Sequence, residues 1–143
     1  MKTLRMTVLT IIVLAAATTS TAEVGRWGLG VGAKSGDIGF QLRKNFWLGG
    51  DVSQITGQGS VFLHNKTTFR VDADYHFVIT EGKGRFYPLV GLDFAFTSDD
   101  AKFGVNGGGG VNFKLTEKNA AFGEVKYVFG GWDGWAFMGG IFF

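Results

Sequence analysis

The residues whose types and spacing best suit chemistry are His76 and the charges that precede it. Arg70, Asp72, Asp74 and His76 recur at every second position, so on an extended chain they share one face. A carboxylate that orients a histidine makes a general base. Hydrolysis by such a base also needs a nucleophilic serine beside it, and nothing in the sequence pairs His76 with one. Gly32-Ala33-Lys34-Ser35 resembles part of a phosphate loop, but the Gly-Lys adjacency is missing and no helix follows to supply amide donors. Gly107 to Gly110 lacks a helix too, and small residues in a crowded strand are the plainer reading. His64 stands alone in a polar stretch, and two histidines without a carboxylate cluster make no metal site. No cofactor is implied.

The elements that must position these residues begin after an export signal. Lys2 and Arg5 precede an apolar run from Met6 to Ala17, and Ser20-Thr21-Ala22 offers the small-x-small pattern cut by signal peptidase. The run is too short for a spanning helix, which needs about 20 apolar residues. Residues 1–22 are therefore expected to be a cleaved signal peptide, exported through the Sec pathway, and residues 23–143 a single domain. Removing 1–22 takes two of the 14 basic residues and none of the 12 acidic ones, which leaves a formal charge of zero. No basic patch remains for nucleic acid, whose recognition rests on neutralising phosphates. Cysteine is absent, so disulfides contribute nothing to stability.

Eight segments alternate with period two: residues 25–34, 37–43, 46–54, 67–79, 85–97, 102–115, 120–129 and 135–143. Ser35-Gly36, Lys44-Asn45, residues 80–84 and residues 116–119 read as turns. Ile55 to Lys66, rich in Gly, Ser, Gln and Asn, is expected to be a longer loop. Pro88 lacks an amide donor and is expected near a strand start or at a bulge. With no helical period anywhere between, the fold class is all-β, an eight-stranded antiparallel up-and-down transmembrane β-barrel. A strand of about 10 residues at ~3.3 Å each, tilted by ~45°, rises about 24 Å, enough for an outer-membrane apolar band.

Volume decides which face is inside. The apolar face carries sixteen aromatic rings, from Trp27 and Phe40 to Phe137 and Phe143, too many for an eight-stranded lumen at interior packing density. They are expected to face lipid, with aromatics gathered at both strand ends as two girdles. The other face is glycine-rich with near-balanced charges. Arg26, Arg43, Asp51, Arg70, Asp72, Asp74, His76, Asp93, Lys114, Glu124 and Lys126 are expected to form a lumen network, since buried charges are tolerated only when paired. Trp47, Tyr87, Phe122 and Phe142 should help plug it. An even strand number puts both termini on one side, the periplasm of an exported chain. The turns near Lys44, Gly82 and Lys118 then lie there, and Ile55 to Lys66 faces outward.

These residues resemble the small eight-stranded outer-membrane barrels, such as the transmembrane domain of outer-membrane protein A and the opacity-type surface antigens. The resemblance covers residues 23–143. It is carried by the Gly-rich strand, short turn and Glu124-x-x-Tyr127 strand of Phe103 to Phe129, and by the alternation that ends in Phe143. It implies that Trp135, Phe137, Ile141 and Phe143 are read by the barrel assembly machinery; Gly139 departs from the bulky pattern. The expected protein is a non-enzymatic, monomeric barrel in the outer membrane of a diderm bacterium, in contact with outer-membrane lipids and lipopolysaccharide. Lys34, Lys66 and Lys102 near the outer rim are candidates to meet lipopolysaccharide phosphates. Its role is expected to be envelope integrity or surface contact through Ile55 to Lys66. A lipid A-modifying enzyme using His76, a narrow pore and a soluble periplasmic ligand-binding barrel are the alternatives.

Overall fold

The period-two alternation is realised as nine hydrogen-bonded segments in a computed structural model that describes residues 27–49, 52–63, 66–81 and 84–143. They are β1 (Trp27–Lys34), β2 (Asp37–Gly49), β3 (Ser53–Leu63), β4 (Thr68–Phe77), β5 (Ile79–Glu81), β6 (Gly84–Phe96), β7 (Ala101–Lys114), β8 (Ala120–Phe129) and β9 (Gly134–Phe142). Every pairing is antiparallel; strands pair with their neighbours in sequence except that β4 pairs with β6, and β1 also pairs with β9, from Gly28 opposite Phe142 to Lys34 opposite Ala136. The sheet closes on itself and has no open edge.

β4 and β5 are one stave of the barrel. Both pair with β6 in a single continuous register, His76 opposite Leu89 and Ile79 opposite Phe86. The ladder lapses at Phe77 and Val78, where Phe77 lies across from Pro88, which has no N–H to give. The Val78 amide instead donates to the Val52 carbonyl at 2.7 Å. Eight staves therefore close the barrel, and Pro88 sits in the body of its strand without shifting the register.

The first hairpin turns at Ser35 (φ 52°) and Gly36 (φ 90°). Two consecutive positive φ values make the tight turn whose twist matches the strands it joins. The next segment departs from the sequence expectation. β2 runs straight through Lys44 and Asn45, where a turn was expected, and shifts register only between Trp47 and Gly49, where it meets β3. The expected strand 46–54 is thus the end of β2 and the start of β3, and most of the expected loop Ile55 to Lys66 is β3 itself. Inward Gln54, Thr56, Gln58 and Ser60 are buried, and Gln54, Thr56 and Gln58 bond to other lumen groups, which is why a polar, glycine-containing stretch is stable here as strand.

The strand ends Lys34 and Asp37, Leu63 and Thr68, Phe96 and Ala101, and Phe129 and Gly134 lie at one rim, called here the four-hairpin rim. The ends Gly49 and Ser53, Glu81 and Gly84, and Lys114 and Ala120 lie at the other, the terminal rim, where β1 begins and β9 finishes. Leu29, Val31, Phe40, Phe69, Phe94, Phe103, Phe137 and Ile141 all point outward and are about half exposed. A belt of large apolar side chains this extensive exceeds any patch a soluble monomer shows to water and is the lipid-facing surface of a membrane barrel.

Candidate functional site

The lumen is the one place where the fold gathers titratable groups. Alternation turns Lys34, Arg43, Arg70 and Lys126 inward together with Asp72, Asp74, Asp93 and Glu124, all nearly inaccessible to solvent. Four lumen-facing cations thus meet four buried carboxylates among the described residues. Coulomb attraction in a medium of low polarisability offsets their desolvation only when the pairs are close and hydrogen-bonded. They are. Lys126 Nζ lies 2.7 Å from Asp74 Oδ2 and 3.4 Å from Asp72 Oδ2. Arg70 binds Asp93 and, at 3.2 Å, Asp72. Arg43 holds Glu124 with both terminal nitrogens, at 2.6 and 3.0 Å.

Neutral residues complete the shells of these charges. Gln58 donates to Asp72 at 2.8 Å and to Asp74 at 3.0 Å while its oxygen accepts from Arg43 at 2.6 Å. Asn106 donates to Asp74 at 2.9 Å, and the Tyr87 hydroxyl donates to Glu124 at 3.0 Å. Sequence reading missed Gln58, because it lay in the expected loop, and gave Asn106 no role. Small residues make the approach possible: a Cβ on Gly110 would meet the Tyr87 ring at 2.5 Å.

Of the residues expected in the lumen network, Arg43, Arg70, Asp72, Asp74, Asp93, Glu124 and Lys126 are in direct ionic contact as described. Lys114 is not among them. It reaches the terminal rim, half exposed, and binds Glu117 of the next turn at 3.0 Å, because the strand ends there and the turn supplies a nearer carboxylate. Arg26 and Asp51 lie outside the described residues, as does His64. Lys34, expected near phosphates at the outer rim, is instead buried: its ammonium sits 5.0 Å above the Trp132 ring and donates to the Gly134 carbonyl at 3.3 Å.

His76 is enclosed, not presented to substrate. Its ring stacks on Tyr87 with centroids 4.4 Å apart and planes 6° from parallel. Its Nδ1 lies 3.3 Å from Gln54 Nε2 and 3.5 Å from the Thr56 hydroxyl. That hydroxyl already donates to Asn45 Oδ1 at 2.9 Å, so it is not a nucleophile awaiting a base. Among the described residues no serine bonds to His76, and the ring is buried away from the lipid-facing surface. Asp74, two residues away, faces Lys126 and Asn106 and does not orient the imidazole.

Both mouths differ. At the four-hairpin rim Trp132 folds in from the β8–β9 turn onto Phe62 and beside Arg70. Toward the terminal rim Trp47 packs with Val78, Tyr87 and Leu89, and Phe122 with Ala120 and Phe142. Between them Gln41, Ser60 Oγ and His76 Nε2 have no protein partner; buried polar groups of this kind are the ordinary hosts of ordered water.

An apolar outer belt around a charge-paired interior, in eight antiparallel staves, defines an eight-stranded transmembrane β-barrel. Solved structures that share this fold include the N-terminal β-barrel domain of OprF from Pseudomonas aeruginosa, with 17% identity, a TM-score of 0.67 and coverage of 86% of this chain and 98% of that one. Neisserial surface protein A is similar at 10% identity and TM-score 0.58, over 82% and 92% of the two chains. Ail, the attachment invasion locus protein of Yersinia pestis, is similar at 14% identity and TM-score 0.51, over 83% and 93%. Comparison of the sequence with protein-family models and with curated proteins gives no match. At these identities the likeness is one of fold.

Proposed function

We propose that the protein is a non-enzymatic barrel of the bacterial outer membrane with an envelope-structural role. The observation that carries this is the occluded lumen: three ion-paired cations, the Trp132–Phe62 contact and the His76–Tyr87 stack lie within the barrel that a solute would have to cross. Residues 1–22 act in this reading as the export signal, the terminal rim faces the periplasm and the barrel is a monomer. Lys66 and Lys102, exposed at the four-hairpin rim, then lie at the level of lipopolysaccharide phosphates, and outward Trp135, Phe137, Ile141 and Phe143 form the row read by the assembly machinery. A surface-contact role through a long loop loses its basis, because residues 55–63 are strand.

Membrane fractionation and gel migration before and after boiling test the placement, since closed barrels resist detergent unfolding. Planar-bilayer recording of the purified barrel tests the occlusion. Recovery in the soluble fraction, with migration unchanged by heat, would sink the membrane reading; steady conductance would sink the occluded one. Unaltered lipid A mass spectra in a deletion strain are expected, and altered ones would revive the enzyme reading.

A further inference from the structure

The lumen is not filled evenly along its axis. Above the Arg43–Glu124 pair, toward the four-hairpin rim, charges and the Trp132 indole occupy it. Toward the terminal rim it widens into a cavity of about 560 Å³, walled by Asn45, Trp47, Gln54, Arg85, Asn112 and Lys114, with Phe142 and Ala120 along one side. That volume falls in the range of small-molecule sites, about 300–1,000 Å³.

Among the lining residues the donors outnumber the single carboxylate, Glu117, which is already paired with Lys114 at 3.0 Å. Arg85 lies 5.3 Å from the Trp47 ring centre, and among the described residues it has no ion pair. Its guanidinium rests against an aromatic face, and among the described residues no hydrogen bond engages its donors. Asn45 is oriented by a short relay: Gln54 Nε2 donates to the Thr56 hydroxyl at 3.2 Å, and that hydroxyl donates to Asn45 Oδ1 at 2.9 Å. The relay consumes the carbonyl end of Asn45, so its NH₂ is the end left for the cavity it lines. Lys114 adds a second cation. Its partner Glu117 is almost fully exposed, and an exposed pair of this kind is weak and exchangeable.

We propose that the cavity is a binding site for a small anion that carries a carboxylate or phosphate group. Arg85 anchors the anion through its planar fork, which matches both groups bidentately. Asn45 orients it with an amide N–H, and Lys114 releases Glu117 to bind it. Trp47 offers a flat apolar surface to the remainder of the molecule. The site goes beyond the structural role proposed above and does not depend on it, because the barrel axis beyond the Arg43–Glu124 pair stays closed with the cavity occupied or empty.

The test is calorimetric titration of the full barrel, refolded in detergent micelles at low ionic strength. The probes are inorganic phosphate, acetyl-dialanine with its free carboxylate, and the C-terminal amide of the same dipeptide. Saturable binding of phosphate or of the free carboxylate is expected, with the amide inert; which of the two binds names the group the site takes. Arg85→Gln should weaken binding about tenfold or more, Lys114→Gln by less, and Trp132→Ala at the opposite mouth not at all. Loss of the fluorescence change in Trp47→Phe places the ligand beside that ring. Heat-dependent gel migration checks that each variant is folded, and if Arg85→Gln is not, Lys114→Gln and Asn45→Ala carry the comparison. No saturable binding at millimolar concentrations, equal binding of the amide, or undiminished affinity in the folded cavity variants would overturn the proposal.

Discussion

The indole of Trp132 stands edge-on to the ring of Phe62, with 5.4 Å between centroids and 89° between planes. Trp132 comes from the β8–β9 turn, where Gly130 (φ 78°), Gly131 (φ 71°) and Gly134 (φ 135°) adopt backbone angles that other residues reach only with strain. Lys34 and Arg70 flank the same indole, 5.0 and 5.5 Å from its centre. One side chain therefore lies against two of the four lumen cations. Trp132→Ala is expected to open the four-hairpin mouth and to cost about 1–3 kcal/mol, less than truncation of a fully buried tryptophan because this ring is only partly covered. Hydrogen exchange of the Arg70 side chain should speed up, and unchanged exchange would show that the mouth is closed by something else.

Glu124 is the acid that neutralises Arg43. It accepts from both terminal nitrogens of Arg43 and from the Tyr87 hydroxyl, and the Arg43 guanidinium rests 4.1 Å from the Phe122 ring centre. Glu124→Ala leaves Arg43 charged and unpaired in the lumen, which should cost about 3–5 kcal/mol, whereas replacing both partners by apolar residues of similar size should be close to neutral. Urea unfolding in detergent, followed by tryptophan fluorescence, measures the cycle. A double replacement as damaging as Glu124→Ala would mean that the pair does more than neutralise itself.

Glycines on the two faces should respond oppositely to a methyl group. A Cβ at inward Gly110 would meet the Tyr87 ring at 2.5 Å, whereas a Cβ at outward Gly123 would meet nothing nearer than Val111 at 3.9 Å. Gly110→Ala is expected to destabilise by about 1–3 kcal/mol through overpacking, and it should disturb the Tyr87–Glu124 bond. Gly123→Ala should be neutral or stabilising by up to about 1 kcal/mol, since it lowers the entropy of the unfolded chain. Thermal migration on gels ranks both against the parent protein.

How much of this was legible in the sequence differs from strand to strand. β4 and β6 through β9 show bulky residues on one parity and small or charged ones on the other, so their spans and facing follow from alternation. β3 does not. Its outward row includes Gly57 and Gly59, and its inward row is Gln54, Thr56, Gln58 and Ser60, which in a soluble protein is loop composition. The signal was present but faint, as Ile55, Val61 and Leu63 keep one parity throughout. Lys44-Asn45 misled for a related reason: Asn45 turns inward to Thr56, and Lys44 lies 4.7 Å from the Trp27 ring centre on the other face. The charge pairs were legible as a balance of signs and not as partners, because which acid meets Lys126 depends on strand register and side-chain reach across the lumen. Trp132 gave no sign of its role, since a turn residue has no parity to read.

Outside the membrane, Lys66 and Asp99 join two neighbouring hairpins at the four-hairpin rim, with 3.0 Å between Nζ and Oδ2, and the Ser98 hydroxyl donates to the same oxygen at 3.0 Å. The hydrogen bond from Lys66, then that from Ser98, holds the Asp99 carboxyl below its ordinary value of 3.8. A carboxylate depressed on folding contributes its stability above the unfolded value and loses it as pH falls through the folded one. The clamp should therefore be intact at neutral pH and open only below the usual carboxylate range. Both side chains are about two-thirds exposed, so salt should weaken the pair and the unfolding midpoint should not register it. An NMR titration of the Asp99 carboxyl should show Lys66→Ala moving it up toward 3.8 and Ser98→Ala moving it less. If neither variant shifts the titration, the two hairpins are held together by the sheet beneath them and not by this pair.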